Sequence, residues 1–368
     1  MIVLVVTGAI TAIYLALLLR LWWQMTPVNR KAQALNMMIL VISLGFAQYF
    51  IAGHLYNMSQ VPVLLNDLDP LVPLFLAESA VPGGIAIFLR VVWKKTPARV
   101  QHLQEKVANR GKDSHDIIHQ DWVRKISHVA QFLAIFAIDF IGFSILAAIF
   151  PGWGSFSFRK LDFWGLGGGD YLGFSWTWDG WANSTAFISA SRLLFFNVFY
   201  CLTFFMLTSE LCRHSRSWRY LFDTTVHKIL RVEETPQIAG YAFFPAAYMF
   251  ACIFLPYFAV LGLLAGGCLG DLASSQAGLR WGRHHFSHQS KTWEGLFAGM
   301  VVTFLASLLF LGFTLALVYL ILFAFVDFCT EKPVPISDNI LLPLMGILAF
   351  TLCSFLGITP APLYLPGI

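Results

Sequence analysis

Charged residues are scarce in this chain, and its cysteines are not arranged in pairs. Only 12% of the 368 residues are charged, whereas 58% are hydrophobic. A soluble domain of this length carries about twice that charged fraction. The six cysteines form no C-x-x-C pair and lie in or beside apolar runs. The sequence therefore predicts that these cysteines are small apolar packing residues and do not form a disulfide framework or a metal site. The net charge of +4 is modest, and no nucleic-acid partner is expected.

Long apolar runs are abundant instead. Each is long enough to cross the ~30 Å hydrocarbon core of a bilayer as a helix. The sequence therefore predicts an all-α, polytopic integral membrane protein with about ten transmembrane helices. The expected spans lie near 2–23, 36–55, 71–93, 127–150 and 186–208, two within 239–270 separated at Pro256, two within 295–328 that fold back near Gly312, and one over 340–357.

The first span has the length of a signal peptide as well as that of an anchor. Arg20, Trp22 and Trp23 follow its apolar run, and no small-residue cleavage site is present. A retained membrane anchor is therefore the favoured interpretation.

The orientation in the membrane follows from the distribution of Lys and Arg. With ten spans, nearly all basic loop residues fall on one side, in the loops 24–35, 94–126, 209–238, 271–293 and 329–339. Because cytoplasmic loops carry an excess of Lys and Arg, this side is predicted to be cytoplasmic. The Trp-rich loop 151–185 then lies outside, where an ordinary interfacial aromatic belt explains it.

The residues from 270 to 295 combine features that suit a phosphate site at a membrane surface. Asp271 ends an apolar helix and could hold Mg²⁺, which prefers one or two carboxylates with phosphate oxygens. Arg283 and Lys291 could neutralise phosphate charge. Backbone could approach the phosphates at Gly270 and Gly278, and Thr292 begins a helix whose N–H groups favour anions.

The same stretch has a second interpretation. Gly262, Gly266 and Gly270 recur every four residues, as do Gly295 and Gly299. That spacing is also a helix-packing pattern in membrane proteins. The basic residues near it could be ordinary positively charged loop residues. From spacing alone, the phosphate site and the packing pattern both remain open.

Five segments, in this order, resemble the CTP-dependent lipid kinases, the family of dolichol kinase, phytol kinase and the CTP-using diacylglycerol kinase. The resemblance covers about residues 120–358 and does not include the first ~110 residues. The segments are Arg124-Lys125-Ile126-Ser127-His128, Leu230-Arg231-Val232-Glu233 with Gly240 and Tyr241, Gly270–Gly278, Lys291-Thr292-Trp293-Glu294-Gly295, and Asp338-Asn339-Ile340-Leu341-Leu342-Pro343-Leu344.

The resemblance implies transfer of the γ-phosphoryl group of CTP to a membrane lipid alcohol at the cytoplasmic face. It implies Mg²⁺ at Asp271, with Asp338 as a second ligand or as a base for the alcohol. His128 would relay a proton or, equally well, meet lipid headgroups at a helix end. Glu294 would orient Lys291 or a metal-bound water. The remaining phosphate or nucleotide contacts are assigned to Lys125, Arg231, Gly270, Gly278, Arg283, Thr292, Gly295 and Asn339.

The segment Lys291–Gly295 is also similar to the related CDP-diacylglycerol synthases, which makes a phosphatidate cytidylyltransferase the first alternative. Nothing after residue 300 resembles the C-terminal signature of that family. A catalytically silent structural subunit is the second alternative. It fits the division of the chain into residues 1–119, three spans and a linker that could dock a membrane-protein partner, and residues 120–368, a kinase-like domain of about seven spans.

Several other polar residues have simpler explanations. His284, His285 and His288 could bind a transition metal, but no nearby Cys or carboxylate in the sequence completes a coordination sphere. Glu78 and Asp139 lie inside predicted spans, where ionisable groups are costly and often functional. Asp139 could pair with Arg192, and the sequence does not decide whether they meet.

Overall fold

The computed structural model describes residues 2–59, 71–92, 118, 121–126, 129–135, 137, 184–215, 218, 220, 230, 237–255, 257–286, 291–330 and 337–358. Over these residues the chain is almost entirely helical and contains no β-strand. The long helices are α1 Ile2–Gln24, α2 Pro27–Ser59, α3 Leu71–Val92, α4 Ser184–His214, α5 Gly240–Phe254, α6 Tyr257–Trp281, α7 Trp293–Cys329 and α8 Asp338–Phe355. Residues 121–126 and 129–135 are also helical.

Seven of the described helices are long and apolar enough to cross a membrane, and α5 is a shorter apolar helix. The all-helical prediction is therefore confirmed for the described part of the chain. The number of about ten spans stays a prediction. The fourth expected span, near 127–150, lies largely outside the described residues, as does the Trp-rich loop 151–185.

The two breaks predicted from excess length are present. Helix α5 ends at Phe254 and α6 begins at Tyr257, on either side of Pro256. Helix α7 is interrupted at Gly312, whose φ of 72° and ψ of 174° are not helical. A straight helix of 37 residues would hold its ends about 55 Å apart. Instead, Lys291 Nζ lies 2.7 Å from Asp327 Oδ1, so α7 folds back on itself at Gly312.

The glycines of α6 bring it into close contact with both halves of α7. A Cβ atom at Gly266 would lie 2.6 Å from Tyr319 Cε1 and 3.2 Å from Thr303 Cγ2. Thr303 Oγ1 donates a hydrogen bond to Gly266 O at 3.1 Å, and Tyr319 Oη donates one to Leu263 O at 2.7 Å. The described contacts therefore support the packing interpretation of this glycine spacing.

The chain forms two compact units that interleave along the sequence. Unit 1 contains residues 1–124, 199–249 and 335–340, and unit 2 contains residues 125–198, 250–334 and 341–368. The predicted boundary between residues 119 and 120 separates an N-terminal region from a kinase-like domain, and it stays a prediction. The core of unit 1 is aromatic: Phe204 packs edge-to-face on Tyr14 and Tyr200, each with ring centroids 4.9 Å away.

Candidate functional site

Unit 2 brings together two of the predicted site residues from distant parts of the sequence. Lys125, in the helical segment 121–126, donates a hydrogen bond to Asp271 Oδ2 in α6, 146 residues later. The Lys125 side chain is 5% exposed and that of Asp271 is 25% exposed. This is a largely buried ion pair in which each charge compensates the other.

A second ion pair joins Lys291 to Asp327 and is bonded to α6 through Ser274, about one helical turn after Asp271. Lys291 Nζ donates to Asp327 Oδ1 at 2.7 Å, to Asp327 O at 3.0 Å and to Thr330 Oγ1 at 2.6 Å. Ser274 Oγ, three residues after Asp271, donates to Asp327 Oδ2 at 3.1 Å. We call Lys291, Asp327, Thr330 and Ser274 the Lys291 clasp. Since an ammonium group has three donors, these three acceptors suffice to saturate Lys291.

The Lys291 clasp joins three chain segments at one end of unit 2. Lys291 precedes the first half of α7, Asp327 and Thr330 end its second half, and Ser274 belongs to α6. The clasp is therefore built to hold the α7 hairpin closed against α6. Asp271 and Ser274 are three residues apart on α6, so the clasp lies beside the Lys125–Asp271 pair.

The start of α7 is organised by its own side chains. Thr292 is the N-cap residue, and its Oγ1 accepts a hydrogen bond from Gly295 N at 3.2 Å. This satisfies one of the N–H groups that an α-helix leaves open at its N-terminus. Gly278 and Gly295 face each other, because a Cβ at Gly278 would lie 3.7 Å from Gly295 Cα. Both glycines thus permit close packing of α6 and α7.

Glu294 contacts a histidine rather than a lysine. Its Oε1 lies 2.6 Å from His284 Nδ1, and His284 N donates to its Oε2 at 3.3 Å. The pair closes the connection between α6 and α7, where His285 and Thr292 form an isolated β-bridge. Glu294 was expected to orient Lys291 or a metal-bound water. Lys291 bonds to Asp327 instead, and the role toward a water stays a prediction.

The other predicted residues fall in three places. Gly270 is buried, and a Cβ there would collide with Thr303. Arg283 is exposed in the α6–α7 connection. Asp338 and Asn339 begin α8 within unit 1, where Asp338 Oδ1 accepts a hydrogen bond from Asn339 N at 2.9 Å. His128 and Arg231 lie outside the described residues, as do Asp139 and His288.

The donor set at Asp271 suits a Mg²⁺ ion that arrives with phosphates. Within the described ranges, no group of three or more His, Cys, Asp or Glu side chains is placed to hold a metal ion. Mg²⁺ is, however, commonly held by one or two carboxylates together with substrate phosphates. Among the described residues, Asp271 could therefore supply one carboxylate ligand to a Mg²⁺ ion that also binds phosphate oxygens.

Asp327 is absent from the site predicted from the sequence, although one signal could have found it. It is the only charged residue between 296 and 329, and an ionisable residue within an apolar run is a functional candidate by itself. Its partner Lys291 could not be inferred in this way, because the two residues meet only after α7 reverses.

A buried ionic group in unit 1 was also not predicted. Glu210 has no exposed side-chain surface and binds Arg213, whose Nη2 lies 2.7 Å from its Oε2. Tyr241 donates a hydrogen bond to Glu210, and Ala239 N donates one at 3.2 Å. Arg213 also donates to Gln237 O. These contacts join the end of α4 to the start of α5. They explain why charged residues occur at the end of the apolar helix α4.

Comparisons with known proteins add no relative. No protein-family model, no curated protein and no solved structure matches the chain.

Proposed function

We propose that the chain is a multi-pass membrane protein with about ten spans and its basic loops in the cytoplasm. The seven long apolar helices support insertion. Large apolar side chains are exposed along α7, a surface that is unfavourable in water and favourable in lipid. They include Phe297, Leu305, Phe313, Ile321 and Phe325.

We propose further that the protein transfers the γ-phosphoryl group of CTP to the hydroxyl of a membrane lipid alcohol, such as a polyprenol, phytol or diacylglycerol. The observation that carries the proposal is the contact between Lys125 and Asp271, which joins two of the five segments that resemble the lipid kinases. Lysine and aspartate side by side are the groups that phosphate and nucleotide-borne Mg²⁺ need.

The ion pair gives a mechanism for binding. Without nucleotide, Lys125 and Asp271 neutralise each other. When a nucleotide binds, Lys125 would turn to the phosphate oxygens, and Asp271 would then be available to hold the metal. Bound Mg²⁺ would neutralise the charge that develops on the phosphates. In the transfer, the alcohol oxygen forms a bond to the γ-phosphorus and its proton passes to a general base, a role that the resemblance implies for Asp338. The bond from the γ-phosphorus to the β–γ bridging oxygen breaks, and CDP leaves with that oxygen.

The roles predicted for Asp338, Asn339, His128 and Arg231 remain part of this proposal. The Lys291 clasp supports it in a different way. By fixing the end of α7 against α6, the clasp holds Ser274, and with it Asp271, in a defined position. Positioning of this kind is the main contribution that a protein makes to phosphoryl transfer.

The proposal is tested with γ-labelled CTP, Mg²⁺ and lipid alcohols, using the purified full chain and two variants. Asp271→Asn is expected to lower kcat/KM by about 10²–10³-fold, the range for loss of one strong electrostatic contact in a transition state. Asp121→Asn is the matched control. It also replaces a carboxylate by an amide, in a pair with Arg124 at 3.1 Å, and should leave the rate nearly unchanged.

Equal loss of labelling in both variants would contradict a specific role for Asp271. Absence of labelled lipid with the folded wild-type protein would contradict the kinase. A lipid labelled only from the α-position would indicate a cytidylyltransferase instead.

A further inference from the structure

Glu78 is a buried carboxyl group in α3 of unit 1. It is 7% exposed, and its Oε2 is fully buried and accepts no hydrogen bond from the described residues. Among the described residues, none forms an ion pair with Glu78. An unpaired polar atom in such a place is costly, and within an apolar helix it points to a function. The kinase proposal assigns no role to Glu78.

Unit 1 also contains a group of neutral hydrogen-bonding side chains from three other helices. Gln48 of α2 donates to Thr11 Oγ1 of α1 at 2.8 Å and to Tyr200 Oη of α4 at 3.2 Å. Phe75, three residues before Glu78 on α3, packs edge-to-face on Tyr200 with ring centroids 6.1 Å apart, so this polar group lies beside the same part of α3. Because the side chains of this group are uncharged donors and acceptors, they suit a neutral polar ligand better than an ion.

The exposed face of α3 borders Glu78 directly. Leu74, one turn before it, is 38% exposed, and Val81, three residues after it, is 45% exposed. Ala77 and Ala80 are also exposed. Residues three and four apart share one face of a helix, so Glu78 lies beside the surface that would face lipid. Since Glu78 itself is buried, a ligand from the hydrocarbon region would reach it by displacing the neighbouring Leu74 or Val81 side chain.

We propose that Glu78 is the anchor of an intramembrane binding site for the hydroxyl group of a neutral lipid alcohol. A hydroxyl both donates and accepts hydrogen bonds, as a carboxyl group without a counter-charge requires. The alkyl or isoprenoid chain would lie along the exposed side of α3. The site belongs to unit 1 and does not depend on phosphoryl transfer. Its occupant is either an isoprenoid alcohol or a hydroxylated glycerolipid such as diacylglycerol.

The test compares an alcohol with its own hydrocarbon. Full-length protein in nanodiscs, without nucleotide, receives phytol or phytane, and thermal unfolding is followed as the lipid fraction rises. Phytol should raise the Tm of the wild-type protein, and phytane should not. Glu78→Leu should weaken the apparent affinity for phytol about tenfold, which corresponds to one lost hydrogen bond. Glu78→Gln, which keeps a donor and an acceptor, should retain most of it.

A second measurement locates the site. A photoactivatable C20 alcohol carrying a diazirine should label peptides from Leu71–Val92 in the wild-type protein and lose that labelling in Glu78→Leu. A parallel experiment with a diazirine-bearing diacylglycerol would show which of the two classes of alcohol labels α3 more strongly. Equal Tm shifts by phytol and phytane, or labelling of α3 that does not depend on Glu78, would overturn the proposal. Since no CTP is present, failure of the kinase assay would leave these results unchanged.

Discussion

Removal of either charge from the Lys291 clasp should destabilise unit 2 by an amount that the geometry sets. Lys291 Nζ makes three hydrogen bonds, two of them to Asp327. Removing one partner of a fully buried ion pair costs about 3–5 kcal/mol. The two side chains are 21% and 12% exposed, so solvent screening lowers this cost. We expect Lys291→Met and Asp327→Asn each to reduce the free energy of unfolding by about 2 kcal/mol.

The double variant shows whether Lys291 and Asp327 stabilise the protein through each other or independently. In Lys291→Met/Asp327→Asn no uncompensated charge remains, so its loss should be smaller than the sum of the single losses by about 1–2 kcal/mol. The assay is equilibrium unfolding by SDS titration in mixed micelles, followed by circular dichroism. Arg280→Met, an exposed basic residue at the end of α6, is the control and should change stability by less than about 0.5 kcal/mol.

Additive losses, within about 0.5 kcal/mol, would refute the reasoning. They would mean that Lys291 and Asp327 do not stabilise the hairpin through each other. A negligible loss in both single variants would mean that the pair is too well solvated to hold α7.

Two glycine substitutions test the packing of α6 and α7 by the same unfolding assay. Gly312→Ala should cost about 1–3 kcal/mol, because φ of 72° with ψ of 174° is a conformation that residues with a Cβ rarely adopt; unchanged stability would contradict the turn. Gly270→Ala should lower the free energy of unfolding by about 1–3 kcal/mol through overpacking. The added Cβ would collide with Thr303 and lie 3.1 Å from Phe323 Cε2. Gly8→Ala, with nothing within 4 Å of the added carbon, is the control, and an equal loss there would contradict the packing account.

The helices of the fold were predictable because they depend on short-range properties. A run of apolar residues fixes a helix by its length and composition, and excess length predicted the breaks at Pro256 and Gly312. The glycine spacing was ambiguous, because close helix packing and close approach of the backbone to phosphate both require a residue without a side chain. At Gly266 and Gly270 the close contacts with Thr303 show helix packing, and the phosphate contact at Gly270 stays a prediction.

The ion pairs were not predictable in the same way. Lys125 and Asp271 each belong to a recognisable segment, yet their contact across 146 residues depends on the arrangement of the helices. Lys291 meets Asp327 only because α7 reverses. Glu294, three residues from Lys291, was expected to orient either Lys291 or a metal-bound water, and it contacts His284. A basic residue at a helix start can find its partner at the far end of a hairpin, and spacing alone does not reveal this.

The central claim is the transfer of a phosphoryl group from CTP to a lipid alcohol, and the most direct measurement is which phosphorus atom of CTP reaches the lipid. The full-length protein in phospholipid nanodiscs would receive Mg²⁺ and CTP labelled with distinguishable isotopes at the α- and γ-positions. Phytol, dolichol, diacylglycerol and phosphatidic acid would be supplied separately. The account predicts γ-label in an alcohol, formation of CDP, and loss of both in Asp271→Asn. Label from the α-position in phosphatidic acid, or no labelled lipid from folded protein, would contradict it.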